Sequence, residues 1–550
     1  MLVKRLTFTV FFLIVLLTTS AGASIRKDIA LTFPRNYADI ILAEARVKDG
    51  MEAISLIKKS LILNPENPDA YFLLARKTAG NGGLKEDLLS VKYYLKGLYY
   101  TVCEIWHLMN ISAVLLLSVF LAIVVSLTVF FIVRLSYTMP LIVHEITESP
   151  RKVLFLLLLI PSVFGFYFAF SALLFYSLIS LKKRGHLIGL VLFLLMLLSL
   201  LTLRFFQSYI KAAFSAQTRS IISVNTGQSN ASAIHILQGR NDDYSLFSYA
   251  LALQKDRRLN EAREVYERLL KKMKDERILV NLASVNLLLG NLNEAESLIK
   301  QAIEKRPTVT AYYNMSIIQR EKLDFEKGDE YFTKAINMDF DRVTLYRDLI
   351  SGQSLPMPII ESLKKGELLS MVLSKSLQDF HLDKKTLLLI VYTLMLMILL
   401  YLRQKDSEIP IQCKKCGRVF CLKCERRLPW GDICMDCFKN LVTLEKTPEE
   451  RIKTILRTYE YQQRRRRIIT LLSFIIPGFA LLISERFIRG MVILAGILFF
   501  LSMVFFMDYF YVNIHRSDYL YIKLLSLIMV VIIYTFGIFY IKKRIRKGWL

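Results

Sequence analysis

Residues 250–270 read "ALALQKDRRLNEAREVYERLL", residues 283–303 read "ASVNLLLGNLNEAESLIKQAI", and residues 315–336 read "MSIIQREKLDFEKGDEYFTKAI". The three stretches line up. Ala262, Ala295 and Gly328 stand 33 positions apart, and so do Leu270, Ile303 and Ile336. Each stretch reads as two amphipathic helices joined by a polar turn, because apolar residues recur at helical spacing on both sides of a short polar break. The recurring small residue lets the second helix approach the first closely. Pro307 follows one second helix and stops it. Self-similarity at such a period is the mark of stacked helix pairs that share one core.

Residues 43–98, "AEARVKDGMEAISLIKKSLILNPENPDAYFLLARKTAGNGGLKEDLLSVKYYLKGL", carry the same signal at Ala53, Leu61, Pro65, Ala70-Tyr71 and Leu74-Ala75. Both regions resemble the tetratricopeptide repeat family. In the first helices the matching positions are Tyr249-Ala250, Leu282-Ala283 and Met315-Ser316; in the second helices they are Ala262, Ala295, Gly328, Ala302 and Ala335. Phe340 stands where the repeat-ending proline would be and Asn286 where an aromatic is usual, so the third repeat is expected to cap the array. The resemblance implies a concave surface that holds a peptide or a protein. Its groove positions fall on Tyr244, Phe247, Leu251, Arg277, Val280, Ser284, Thr310, Tyr313, Ile317 and Arg320. The competing expectation is a groove filled by the chain itself, from 207–242 or 351–380. The N-terminal stretch makes about two repeats, which is few for stability alone; the membrane, an added helix from 24–36 or a partner is expected to cover its open end.

The rest of the chain is apolar in blocks. Of the 550 residues 54% are hydrophobic, mean hydropathy is +0.39 and the net charge is +26. Residues 207–385 hold 26 Lys/Arg and 23 Asp/Glu, so most of the excess lies elsewhere, much of it beside apolar runs: Lys4-Arg5, Arg151-Lys152, Lys182 to Arg184, Arg464 to Arg467 and Lys542 to Lys547. That pattern is the flank of membrane segments, and it speaks against nucleic acid, which needs a basic face on a folded domain. Apolar runs near 108–134, 153–181, 186–206, 386–402, 468–484, 490–508 and 519–541 approach or exceed the length of a span. The 153–181 and 468–484 runs have basic residues at both ends and Pro-Gly or Pro and Gly inside, so they read as hairpins or kinked spans. Residues 1–23 read as an export signal with a small-residue site at Ala21-Gly22-Ala23. Such a layout points to a multi-pass protein of a bacterial cytoplasmic membrane.

Six of the seven cysteines fall between 413 and 437, "CKKCGRVFCLKCERRLPWGDICMDC". Three C-x-x-C pairs make Cys413, Cys416, Cys421, Cys424, Cys434 and Cys437 candidate metal ligands, with zinc the first choice. Disulfides and an iron–sulfur cluster are the alternatives. Few apolar residues lie here, so a metal would supply the folding energy. The stretch resembles the later part of a FYVE-type zinc finger. That resemblance implies that Cys413, Cys416, Cys434 and Cys437 share one ion. Cys421 and Cys424 would complete a second site with another chain, or stay free. The basic His-containing lipid motif of that family is absent.

The expected fold is mostly α: tetratricopeptide-like repeats, transmembrane helices and a small Cys-rich zinc-binding module. Its expected order is a signal at 1–23, an N-terminal repeat region at 24–102, a membrane region at 103–206, a linker at 207–242 and the repeat domain at 243–350. A helical linker at 351–384, a membrane helix at 385–403, the zinc module at 409–441, a basic juxtamembrane helix at 446–467 and a membrane region at 468–550 follow. No phosphate loop, nucleophile elbow, metal-hydrolase motif or dinucleotide fingerprint is present. The expected role is therefore a non-catalytic membrane scaffold that binds proteins through its repeats and touches lipids through its spans. A transport or secretion component and a membrane enzyme with an unrecognised site are the alternatives.

Overall fold

The computed structural model describes residues 34–79, 83–148, 165–178, 185–227, 232–350, 357–381, 383–403, 411–420, 433–483, 487–510 and 517–546. In chain order the first helices are α1 (Pro34–Val47), α2 (Gly50–Leu63), α3 (Pro68–Thr78), α4 (Leu84–Cys103), α5 (Ile105–Glu148), α6 (Phe166–Leu178) and α7 (Gly185–Ala213). Then come α8 (Ala216–Asn225), α9 (Ala233–Leu237), α10 (Asp243–Lys255), α11 (Leu259–Lys272), α12 (Glu276–Leu288), α13 (Leu292–Lys305), α14 (Val309–Glu321), α15 (Phe325–Met338) and α16 (Phe340–Ile350). The remainder are α17 (Lys365–Gln378), α18 (Lys384–Arg403), strands β1 (Ile411–Gln412) and β2 (Val419–Phe420), α19 (Met435–Leu441), α20 (Pro448–Ile475), α21 (Phe479–Ile483), α22 (Phe487–Phe510) and α23 (Ser517–Arg546). They form two compact units, a repeat unit of residues 1–107 with 213–373, and an apolar unit of 108–212 with 374–550.

In the repeat unit the pairs α10–α11, α12–α13 and α14–α15 pack as the periodicity requires. Ala262, Ala295, Ala302 and Ala335 are wholly buried at the crossings, where a larger side chain would push the helices apart. Side-chain caps define the helix starts. Asp242 accepts from the Ser245 amide, Asp275 from Arg277 and Thr308 from Ala311, each satisfying a first-turn N–H that has no partner within the helix. The N-terminal repeats form α1–α2 and α3–α4 around Leu42, Ala45, Ile57, Ala70 and Leu74. Their neighbour in this unit is the second array: α16 packs on α2, and the Lys365 ammonium pairs with the Glu66 carboxylate.

Residues 207–242 do not behave as the expected linker. Helix α7 runs on to Ala213, and α8 and α9 pack on each other and on α10. This stretch extends the repeat stack backwards by one helix pair. The expected helical linker at 351–384 is also divided. Residues 357–364 are non-helical, and α17 begins only at Lys365.

Among the described residues, four helices are long and apolar enough to cross a membrane: Ile105–Leu135, Gly189–Ala213, Phe487–Phe510 and Leu520–Lys543. The core brings Phe130, Phe131, Phe170, Phe193, Tyr392, Leu396, Phe479 and Phe487 together from α5, α6, α7, α18, α21 and α22. Polar ties join the chain segments: the Tyr209 hydroxyl donates to the Met109 carbonyl at 3.1 Å, and Arg204 pairs with Asp383 at 2.8 Å. The expected juxtamembrane helix at 446–467 and the apolar run after it are one continuous helix, α20, as far as Ile475. Pro477 and Gly478 then break it, and the chain turns into α21. The N-terminal signal, Arg151-Lys152 and Lys182 to Arg184 lie outside the described residues.

The break at Gly478 is a steric requirement. Its φ is +92°, and an added Cβ would lie 2.7 Å from the Gly490 carbonyl oxygen. Gly478→Val should therefore destabilise the apolar unit by about 1–3 kcal/mol. The measurement is thermal unfolding of the detergent-solubilised chain, with Ala480→Gly as a control for general loosening. An unchanged melting temperature for Gly478→Val would contradict the packing described here.

Candidate functional sites: a repeat groove and a thiol cluster

Asn281 on α12 and Asn314 on α14 occupy the same place in successive repeats, 33 positions apart. Both are almost completely buried. An isolated buried amide side chain is costly, and each finds its partners in the segment 357–364. The Ile359 amide donates to Asn314 Oδ1 at 2.8 Å, and Asn314 Nδ2 donates back to the Ile359 carbonyl at 2.7 Å. Two residues on, the Glu361 amide donates to Asn281 Oδ1 at 2.7 Å, and Asn281 Nδ2 donates to the Glu361 carbonyl at 2.9 Å. Two further on, the Leu363 amide donates to Asn225 Oδ1 at 2.9 Å. The chain thus crosses the repeats in an extended strap, since only an extended backbone turns alternate residues to one side.

The third amide comes from outside the repeat register. One period before Asn281 stands Ser248, whose side chain is shorter. Asn225 reaches in from α8 instead, and its Nδ2 donates to Ser248 Oγ at 2.7 Å and to the Ile221 carbonyl at 2.8 Å. Pro358 lies at an intervening position of the strap. Its missing N–H costs nothing there, and it biases Met357 towards extended backbone.

Side chains close the strap over the groove. Met357, Ile359 and Leu363 are buried. Ile359 packs in one cluster with Tyr313, Ala335 and Val343. Arg277 holds the far end: its guanidinium meets both oxygens of Glu367, at 2.6 and 2.9 Å, and also Asp275 at 2.6 Å. The hydrogen bond from Arg277 keeps the Glu367 carboxyl below its usual range. Burial would raise Asp275, but its bonds to Arg277 outweigh this and hold it low as well.

Of the groove positions expected from the sequence, Arg277, Ser284, Tyr313 and Ile317 meet the strap, its far end or its apolar cluster. Phe247, Leu251, Val280, Ser284, Thr310 and Tyr313 are buried; Tyr244, Ile317 and Arg320 are half-buried. Ser284 Oγ lies 3.4 Å from the Ile359 carbonyl. Arg320 turns to Asp329 at 2.8 Å and over the Phe332 ring at 5.0 Å. Of the two occupancies left open by the sequence, the groove of α10–α15 is filled by the chain's own residues 357–364. The asparagines were missed although aligned repeats display Asn281 and Asn314 in one column.

The second site is built on a short hairpin. β1 pairs antiparallel with β2, and between them the Cys413 amide donates to the Arg418 carbonyl and the Gly417 amide to the Cys413 carbonyl. Gly417 has φ +79°, and the Tyr461 ring of α20 lies where a Cβ would stand, 2.6 Å away. The tight turn aims Cys413 and Cys416 at one point. Cys434 caps α19 and Cys437 lies in its first turn, so both point to the same place. The four sulfurs lie within 4.8 Å of one another, and none is in a disulfide. Cys416 Sγ and Cys434 Sγ are 3.6 Å apart. A tetrahedral ion with metal–sulfur bonds of about 2.3 Å needs sulfurs about 3.8 Å apart, so the donor set fits a divalent soft metal. Without a cation the thiols oppose one another. A hydrogen bond with Cys434 draws Cys413 down to about 4 and raises Cys434 in turn, while burial pushes Cys437 up to about 12. A bound dication would stabilise all four thiolates. These are the four cysteines that the resemblance to FYVE-type fingers places on one ion. Cys421 and Cys424 lie outside the described residues.

Compared with known families, residues 276–308 and 309–342 match the tetratricopeptide repeat. No curated protein matches the chain.

Truncating Asn314 leaves the buried Ile359 N–H unpaired and its carbonyl with Ser284 Oγ alone, and truncating Asn281 leaves the part-buried N–H and C=O of Glu361 without their side-chain partner. Asn281→Ala and Asn314→Ala should each cost about 1–3 kcal/mol, read as lower melting of the repeat unit in the full chain. A cost under about 0.3 kcal/mol for both would show that the ladder bears no load. The Glu367 grip should hold above about pH 4.5 and weaken as pH falls below it, because a carboxyl with a lowered folded pKa contributes stability only while ionised. Glu367→Gln should flatten that acid dependence of melting. For the thiols, metal analysis should find at least one bound dication per chain, lost on Cys413→Ser with Cys434→Ser. Equal metal content in the double variant would reject the site.

Proposed function

We propose that the protein is a non-catalytic, membrane-anchored scaffold. Its repeat unit docks other proteins, and its spans fix that unit at a bilayer. The thiol module, with zinc on Cys413, Cys416, Cys434 and Cys437, is a folded knob that braces α20 through Gly417 and Tyr461 and offers a second, cytoplasmic contact. The observation that carries this reading is the tetratricopeptide match at 276–342; the asparagine ladder adds that these repeats are able to hold an extended polypeptide by its backbone, here residues 357–364 of the same chain. Zinc is favoured by an all-thiolate, four-coordinate donor set. The tetratricopeptide match supports protein–protein contact as the role of 276–342. Lipid contact is supported by the four described helices that are long and apolar enough to cross a membrane.

The reading is tested by photocrosslinking in living cells. Tyr313 lies beneath the strap, so the probe belongs at Leu323, Phe325 or Phe340, all exposed. The expected result is one or a few discrete protein adducts identified by mass spectrometry. Adducts confined to lipid, or none at any repeat position, would overturn the scaffold.

A further inference from the structure

We infer that residues 357–367 are a placeholder for a partner: the groove accepts a peptide of another protein, extended where Met357, Ile359 and Leu363 place their apolar side chains and then turning into a helix that brings a carboxylate to the place of Glu367, in exchange for the strap. This inference deepens the scaffold reading and rests on it.

Three features of the strap point this way. First, the ladder reads backbone. Five hydrogen bonds, two each at Ile359 and Glu361 and one at Leu363, go to main-chain N–H and C=O groups. Any extended peptide offers the same groups at the same spacing of two residues. The asparagines therefore cannot tell the strap from a competitor. Second, selectivity is carried by few side chains. Met357, Ile359 and Leu363 are buried, whereas Pro358, Ile360 and Ser362 between them are only partly covered. The groove thus grips one edge of the peptide, and a competitor has to match only that edge. Third, the anchor at the far end is a single charge pair. Arg277, braced by Asp275, faces Glu367, so a peptide carboxylate at the equivalent place meets a preset guanidinium.

The strap begins a few residues after α16 and runs directly into α17. A tethered ligand competes at an effective concentration on the order of millimolar. If it is closed 99% of the time, an incoming peptide of equal intrinsic affinity binds about 100-fold more weakly than to an empty groove. That masking gives the exchange its regulatory character: strong or locally concentrated partners open the groove, and weak ones do not. The sequence pattern to expect in a partner is apolar-x-apolar-x-x-x-apolar-x-x-x-acidic.

The test uses the full chain in nanodiscs and a fluorescent peptide, "MPIIESLKKGE", copied from residues 357–367. Anisotropy is compared between the wild-type chain and Ile359→Asp with Leu363→Asp, which should free the strap. The released variant should bind the peptide on the order of 10- to 100-fold more tightly than wild type. The gain should vanish when Asn281→Ala and Asn314→Ala are added, and when the peptide is N-methylated at its Ile359 and Glu361 positions. A released variant that keeps its helical signal yet binds no more tightly than wild type would overturn the inference. Should the aspartates reduce helicity, Ile359→Ala with Leu363→Ala makes the same comparison with a gentler change. Failure here is separable from failure of the scaffold reading. Cellular crosslinks at Phe325 without any gain in peptide binding contradict the placeholder alone. Peptide gain without any cellular protein adduct contradicts the scaffold alone.

Discussion

A primary amide carries one donor and one acceptor side by side, which is also what a residue of extended backbone presents along one edge. Asn281 and Asn314 use that match twice, and much else in the repeat unit follows from it. At the concave surface each asparagine amide is answered chiefly by a backbone, with Tyr266 as a further partner of Asn281 and Ser284 of Asn314. Each strap residue can lie inside only because an asparagine answers in return. The two burials are conditional on one another, so the groove and its occupant form one cooperative polar layer between apolar contacts. Ser248 shows the constraint from the other side. Where the repeat offers only a hydroxyl, α8 is recruited to bring Asn225 into the row.

The apolar unit and the thiol module serve different constraints. Among the described residues, four helices have the length and hydropathy to cross a bilayer. Their internal contacts are aromatic and aliphatic, with a few polar ties such as Tyr209 to the Met109 carbonyl. The thiol module has only a small core, in which Phe420, Ile433 and Leu441 pack around the four converging cysteines, and Tyr461 lies over Gly417. A metal there would stabilise folding as much as contact.

The periodic parts were legible in the sequence. Ala262, Ala295 and Gly328 at a constant interval required close helix pairs; the C-x-x-C spacing marked six candidate ligands, and the resemblance to FYVE-type fingers singled out Cys413, Cys416, Cys434 and Cys437, whose sulfurs converge. What escaped the reading lacks periodicity. Residues 351–380 were one of the two stretches expected to fill the groove, but "MPIIESLK" is too short and too irregular to show itself as the strap within them, because its hydrogen bonds go to side chains far away in sequence. The ladder was half visible, as Asn281 and Asn314 share a repeat column, but Asn225 belongs to a helix outside the repeat register. Residues 207–242 looked like a linker since α8 is short and polar and α9 is only five residues long; only stacking on α10 reveals them as part of the array. The joining of the two repeat stretches through α16 and α2 is a long-range contact that no local pattern encodes.

Native-state hydrogen exchange at the amides of Ile359, Glu361 and Leu363 tests the central claim most directly. If the asparagines hold the strap by its backbone, these three amides exchange slowly in the intact protein, and Asn281→Ala speeds Glu361 most. Exchange at the rate of free solvent-exposed peptide at all three would contradict the account.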